Sequence, residues 1–156
     1  MKLHARKILG LLAASTVGWV AFAQETDALF ATAAAQSDLY EITSSELALE
    51  RASSEEVRTF AQRMIDDHTA TTEQLTPVAE ALGVTPPTET TAAAQLDLAY
   101  LGTLEGEAFD TAYMEQQRLS HEAAVAAFEI AAETAQDEAL RAFVTKNLPV
   151  IQAHMP

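Results

Sequence analysis

Between Ser53 and Gly83 the chain reads SSEEVRTFAQRMIDDHTATTEQLTPVAEALG, and its apolar residues Val57, Phe60, Ala61, Met64, Leu75, Val78, Ala79 and Leu82 recur at helical spacing. A long helix with such a stripe is stable in water only when the stripe is buried, because helix propensity alone contributes little. The chain must therefore supply other helices to cover it. Ser53 with Glu56 three residues on predicts a capping box at the start, and Ala52 with Val57 an apolar staple around it. Gly83, followed by Pro86-Pro87, predicts the end. His68 falls on the same stripe. A titratable ring on a buried face must find a polar partner, be neutral or bind something, since burying it unpaired is costly.

Three further stretches carry the same periodicity. Thr26 to Arg51 is rich in Ala, Glu and Leu and has neither Gly nor Pro, which favours helix. Two stripes compete there, one of Leu39, Ile42 and Leu49 and one of Phe30, Ala34, Glu41 and Ala48, with Glu41 near the seam. From about Glu107 to Ala135 the inner stripe is drawn as Asp110, Met114, Gln117, His121, Val125, Phe128 and Ala132. Asp137 to Met155 offers Leu140, Val144, Asn147, Ile151 and His154, with a kink expected at Pro149 because proline cannot donate the ladder hydrogen bond. Val84 to Thr91 (VTPPTETT) reads as an extended linker. Ala92 to Leu104, with Leu96, Leu98, Leu101 and Leu104, reads as a short helix covering the bundle. No alternating β pattern of any length occurs. The pattern predicts an all-α protein: an antiparallel four-helix bundle with a Pro-rich crossover and a short accessory helix.

The first residues have the parts of a secretory signal: basic Lys2, Arg6 and Lys7, an apolar run from Ile8 to Phe22, and Ala21-Phe22-Ala23 as a cleavage site. Residues 1–23 are expected to be a signal peptide and 24–156 one bundle domain, exported to the periplasm or cell envelope with no membrane span after cleavage. The formal net charge is −14, and loss of the signal removes basic residues only. Such a field repels nucleic acid and anionic lipid, so neither is expected as a partner. The chain has no cysteine, which leaves stability to packing and rules out metal sites built on thiolates.

Outside the signal segment the chain has three histidines, His68, His121 and His154, each on or beside the apolar stripe of a different long helix. Imidazoles projecting inward from separate helices are how bundles build metal sites. Glu41 and Asp110 are the candidate oxygen ligands, and a mixed shell of this kind suits zinc, iron, manganese or copper. Met64, Met114 and Met155 each lie within seven positions of a histidine; thioether with imidazole favours cuprous copper, whereas helix-spaced methionines are commonly core fillers. The residues three before the histidines are Ile65, Arg118 and Ile151, so the Glu-x-x-His pairs of di-iron bundles are absent. There is no G-x-S-x-G, no phosphate-cradling glycine loop and no H-E-x-x-H, and nothing specific points to an enzyme. The rival to a metal site is a structural or interaction bundle whose histidines are hydrogen-bonded in the core.

Several segments together resemble the bacterial family known as domain of unknown function 4142: Glu41-Ile42 and Leu47-Ala48, then Val57-x-x-Phe60-Ala61-x-x-Met64-Ile65-x-Asp67-His68-Thr69, then Phe109-Asp110-x-x-Tyr113 and His121, and finally Leu148-Pro149-x-x-x-x-His154. The resemblance runs from about Asp27 to His154. It implies a ferritin-like four-helix bundle, exported and often labelled an outer membrane protein, with no established activity. Carried over position by position, the polar pattern falls on Glu41, Asp67, His68, Asp110, Tyr113, His121 and His154. Asp67 and Tyr113 from this pattern, with Gln117 from the inner stripe, are expected as polar supports around the candidate ligands.

Overall fold

The computed structural model describes residues 14–155, and among them all regular structure is helical: α1 (Ala14–Arg51), α2 (Glu55–Ala81), α3 (Ala92–Leu101), α4 (Gly106–Thr134) and α5 (Glu138–Gln152). Positions 1–13 of the expected signal segment lie outside the described residues, and α1 runs without a break through Ala23. Among the described residues no helix is long and apolar enough to cross a membrane.

The helix boundaries follow from local chemistry, with one shift. Gly83 ends α2 in the left-handed region at φ 78°, a conformation open to glycine because it has no Cβ. Asp137 starts α5 by accepting from the Leu140 N–H at 2.9 Å. At the head of α2, however, the cap is Ser54, whose Oγ accepts from the Val57 N–H at 3.4 Å, and the expected capping box on Ser53 does not form. Asp110 of α4 takes Ser53 instead, accepting from its backbone N–H at 3.0 Å, from its hydroxyl, and from the Ser54 N–H at 2.9 Å. α5 continues through Pro149 as α2 does through Pro77.

α1 packs on α2 and α4, and α5 packs on α4 and α2, so the four long helices form a closed ring of neighbours in a helical bundle. The segment between α2 and α4 runs along the outside. Pro86 and Pro87 lie against Leu39 and Ile42 of α1 and Leu75 and Ala79 of α2, around a cavity of about 80 Å³. Leu101 at the end of α3 is fully buried at the opposite end of the bundle, with Ala48, Val57 and Phe109. Leu96 departs from expectation: it is 72% exposed and covers nothing in the core. The buried face of α4 is also turned by one residue over its first turns, where Phe109 and Tyr113 are inside in place of Asp110 and Met114.

Two apolar clusters divide the core. One gathers Ala31, Ala35, Leu75, Phe128, Leu140 and Val144; the other gathers Ala48, Ala61, Leu101, Phe109 and Tyr113. Between them, on each of α1, α2 and α4, lies a buried polar layer that includes Asp38, Glu41, Ser44, Ser45, His68, Gln117 and His121. α5 reaches only as far as this layer, where His154 follows its last turn. The division of the core yields a clear expectation. Leu75→Ala, at a fully buried position, should destabilise the fold by about 2–5 kcal/mol, whereas Leu96→Ala should stay within about 0.5 kcal/mol. Urea denaturation midpoints check this, and equal shifts for the two variants would contradict the packing described.

Candidate metal centre

The buried residues of α2 step along one face as Val57, Ala61, Met64, His68, Thr71, Leu75 and Ala79, so His68 occupies an ordinary core position. α4 does the same with Phe109, Tyr113, Gln117, His121 and Phe128. His154 lies just past the Ala153 C-cap of α5, in the closing turn, where its N–H donates to the Ile151 carbonyl at 3.1 Å. All three histidines are at least 96% buried. Their ring centroids form a nearly equilateral triangle, with sides of 5.7, 5.3 and 5.3 Å.

Each ring is anchored through one nitrogen. His68 Nδ1 donates to Asp38 Oδ1 at 2.8 Å, and Asp38 Oδ2 accepts from Thr72 Oγ1 at 3.3 Å. His121 Nδ1 donates to the Gln117 carbonyl at 2.8 Å. His154 Nε2 donates to Asp67 Oδ2 at 2.8 Å, and Arg63 braces the same carboxylate from one turn back, at 3.3 Å. A carbonyl or a carboxylate can only accept, so each anchored nitrogen carries a proton, and in the neutral ring the opposite nitrogen presents a lone pair. Those opposite nitrogens, His68 Nε2, His121 Nε2 and His154 Nδ1, are buried without a hydrogen-bond partner. One nitrogen from each of the three rings lies within 4.8 Å of the others.

Two more buried oxygens in this layer are without partners: Glu41 Oε2 and Gln117 Oε1. Glu41 is 1% exposed, and its other oxygen accepts from the Ser120 hydroxyl. Gln117 Nε2 donates to Ser44 Oγ at 3.3 Å. Unsatisfied polar atoms are rare in native interiors, and several in one layer ask for a specific cause.

The electrostatics agree with three rings in unequal states. Burial works against the His68 imidazolium, but the Asp38 hydrogen bond and charge, with Glu41 and Asp67 beyond, outweigh it and hold its pKa above the ordinary 6.5. Burial pushes His121 down, and pushes His154 down to about 4 despite Asp67. Partial burial opposes the Asp67 carboxylate, yet the His154 and Arg63 contacts hold its pKa below the usual range. A neutral His154 donating to an ionised Asp67 satisfies both partners.

The three histidines form a group that could hold a metal ion. A tetrahedral ion with metal–nitrogen bonds of about 2.1 Å separates its ligands by about 3.4 Å, so ring nitrogens within 4.8 Å of one another could be drawn onto one ion by movement of the rings. The anchoring of each outer nitrogen by a carboxylate or carbonyl is the arrangement that fixes tautomer and ring orientation in metal sites.

The candidate residues divide as follows. His68, His121 and His154 converge, and Glu41 is buried in the same layer with one oxygen unpartnered. Asp67 and Gln117 support the rings directly. Tyr113 is fully buried and bonds Ser45 at 2.8 Å, in the apolar half of α4 beyond Gln117. Asp110 stands apart: it lies eleven residues before His121, about 16 Å along a helix, and is engaged by Ser53 and Ser54. Met114 belongs to the far apolar cluster and Met155 is 40% exposed, which leaves Met64, fully buried one turn before His68, as the methionine at this level. Sequence reasoning missed Asp38. Its signal was phase, since it stands seven after Ala31 and three before Glu41 on the buried face of α1.

Comparison with known proteins shows what this chain is similar to. No curated protein matches it. Among solved structures, a DUF305 protein from Streptomyces coelicolor, described as secreted, shares the fold with a TM-score of 0.70 at 14% identity. The match covers 83% of this chain and 86% of that one. The family model described as domain of unknown function DUF4142 matches residues 14–156, nearly the whole sequence. The chain belongs to the DUF4142 family.

Proposed function

We propose that the protein is an exported, ferritin-like antiparallel four-helix bundle, with residues 24–156 as its mature domain, that binds one transition-metal ion. His68 Nε2, His121 Nε2 and His154 Nδ1 are the nitrogen ligands and Glu41 Oε2 is the fourth. The role is binding or stress response at the cell envelope, in the periplasm or at its boundary. One observation carries the metal reading: three buried rings bring one nitrogen each within 4.8 Å of the others, and every ring is anchored through one nitrogen while its other nitrogen has no hydrogen-bond partner. Export is supported by the basic start, apolar run and A-x-A site of residues 1–23, and by the similarity to a protein described as secreted. The donor set accepts zinc, iron, manganese or copper, and the coordination geometry chooses among them.

The rival is a structural bundle, favoured by the partner that each ring already has in Asp38, Gln117 or Asp67. It leaves the unpartnered nitrogens and Glu41 Oε2 without a cause. Elemental analysis of protein purified from the periplasm should give about one metal ion per chain, and His68→Ala and His121→Ala should each abolish it. Chelation should also lower the melting temperature of the wild type, because an ion that binds only the folded state stabilises it by mass action. Substoichiometric metal, the same in all three proteins, with a melting temperature indifferent to chelator, would establish the structural reading instead.

Protons compete with the metal for these nitrogens. His121 and His154 have lowered pKa values and shed their protons at lower pH than an ordinary histidine, so His68, with its raised value, sets the competition. Metal affinity should therefore fall as pH drops and should still be climbing above pH 6.5, the ordinary histidine value. Asp38→Asn keeps the shape of the anchor but removes the charge that favours imidazolium. It should move the midpoint of this climb to lower pH while weakening the plateau affinity about 10- to 100-fold. Competition titrations across pH measure both, and a variant identical to wild type would remove Asp38 from the site.

A further inference from the structure

We propose that a cavity on the seam between α1 and α4 is a binding pocket for a small uncharged molecule, a single ring or short apolar chain, held with its polar end towards the His68 side. The pocket itself stands on its own geometry; the approach of that polar end to a metal rests on the reading above.

The cavity measures about 270 Å³, more than the roughly 150 Å³ that accommodates benzene in an engineered protein interior. Its length along the seam is set by matched small residues, Ala33, Ala34 and Ser37 on α1 and Ala123, Ala124 and Ala127 on α4. Both triplets have the same spacing, so the two helices present facing rows of short side chains where a pair of Leu rows would fill the space. Phe30 and Phe128 also line it, in edge-to-face contact with centroids 5.1 Å apart, and give it an aromatic wall.

The second observation is chemical. Among the lining residues is His68, 4% exposed and one of the three clustered histidines. Ser120 and Asp38 line the same region. The pocket thus joins an apolar, ring-sized volume to a polar end that includes a candidate ligand. This combination of a mostly apolar wall with a few convergent polar groups is how small-molecule sites are built.

Charge selects the class of ligand. The chain carries a formal −14, the buried carboxyl group of Asp38 lines the polar end, and the lining Ser120 is bonded to the buried carboxylate of Glu41. An anion entering here meets repulsion and loses its hydration, whereas a neutral molecule meets neither cost.

Phenol and benzoate serve as probes, since they share a ring and differ in charge at neutral pH. Saturation-transfer NMR and calorimetry on chelated, full-length mature protein should show phenol binding at least tenfold tighter than benzoate. Ala127→Phe, which fills the seam from α4, should weaken phenol at least tenfold while keeping the wild-type circular dichroism and metal stoichiometry. Ala33→Leu, from the facing helix, should do the same and covers the case in which the first variant misfolds. In protein loaded with Co²⁺, phenol should also change the visible spectrum of the ion. Equal binding of the two probes, or phenol binding unaffected by both variants, would overturn the pocket. Phenol binding without a spectral change would overturn its connection to the metal position. Failure to take up Co²⁺ would defeat the metal reading and that connection, while the phenol arm still decides the pocket.

Discussion

Three imidazole rings cluster in the middle of this protein, each with one nitrogen that water does not reach and that has no hydrogen-bond partner. That is unfavourable in any fold, because each unmade hydrogen bond leaves a desolvation cost standing. The surroundings make it tolerable by completing everything else: the outer ring nitrogens are bonded, the carboxylates that hold them are themselves braced, and apolar clusters close the layer above and below. A core designed only for stability would have put leucines at these positions. The arrangement makes physical sense when a positive ion shares the lone pairs, and the acidic residues Asp38, Glu41 and Asp67 around the triangle then become countercharge for it.

Bringing groups from α2, α4 and the end of α5 to one height requires the helices to hold their register, and two buried or half-buried aspartates bear on this from opposite ends of the bundle. Asp110 on α4 accepts from Ser53 and Ser54 in the α1–α2 connection. Asp27 on α1 accepts from the N–H groups of Gln136 and Asp137 in the α4–α5 connection, at 3.0 and 2.8 Å. Each joins a loop to a helix that the loop does not belong to, so each opposes axial sliding in a way that interdigitated alanines cannot. Asp110, one of the two carboxylates expected from the sequence as oxygen ligands, is thereby explained as one of the clamps that hold the helices in register.

The elements legible in the sequence were those specified locally. Helical periodicity, the Gly83 stop, the Asp137 cap and the Pro86-Pro87 crossover each depend on a few neighbouring residues. So did the inward direction of His68, His121 and His154, which follows from their phase on the stripes. The departures all came from long-range partners. The α2 cap moved from Ser53 to Ser54 because a residue from α4 competes for the serine. The early turns of α4 rotated to bury Phe109 and Tyr113 because Tyr113 finds Ser45 across the interface. Asp38 was hidden for the same reason, since an acidic residue in an alanine-rich helix reads as solvated until its histidine partner is known. The common height of the three rings could not be read from any one helix.

The ring of His154 differs from the other two in a way that bears on how the centre and the fold depend on each other. His68 and His121 present Nε2, the far nitrogen, from within helices, whereas His154 presents Nδ1, the nitrogen nearer its own backbone, from a turn beyond the helix. Shorter reach means that the end of α5 itself must approach the centre. Asp67 and Arg63 of α2 draw it there, the first through Nε2 of the ring and the second through the Ala153 carbonyl at 3.3 Å. These contacts are polar and partly exposed, and such pairs are individually weak. An ion bonded to His154 would tie the same end of α5 to α2 and α4 at once, through bonds far stronger than those contacts. The last helix would then be held at one end by apolar packing around Leu140 and Val144 and at the other by the centre. The polar layer would work both as a binding site and as the closing contact of the bundle.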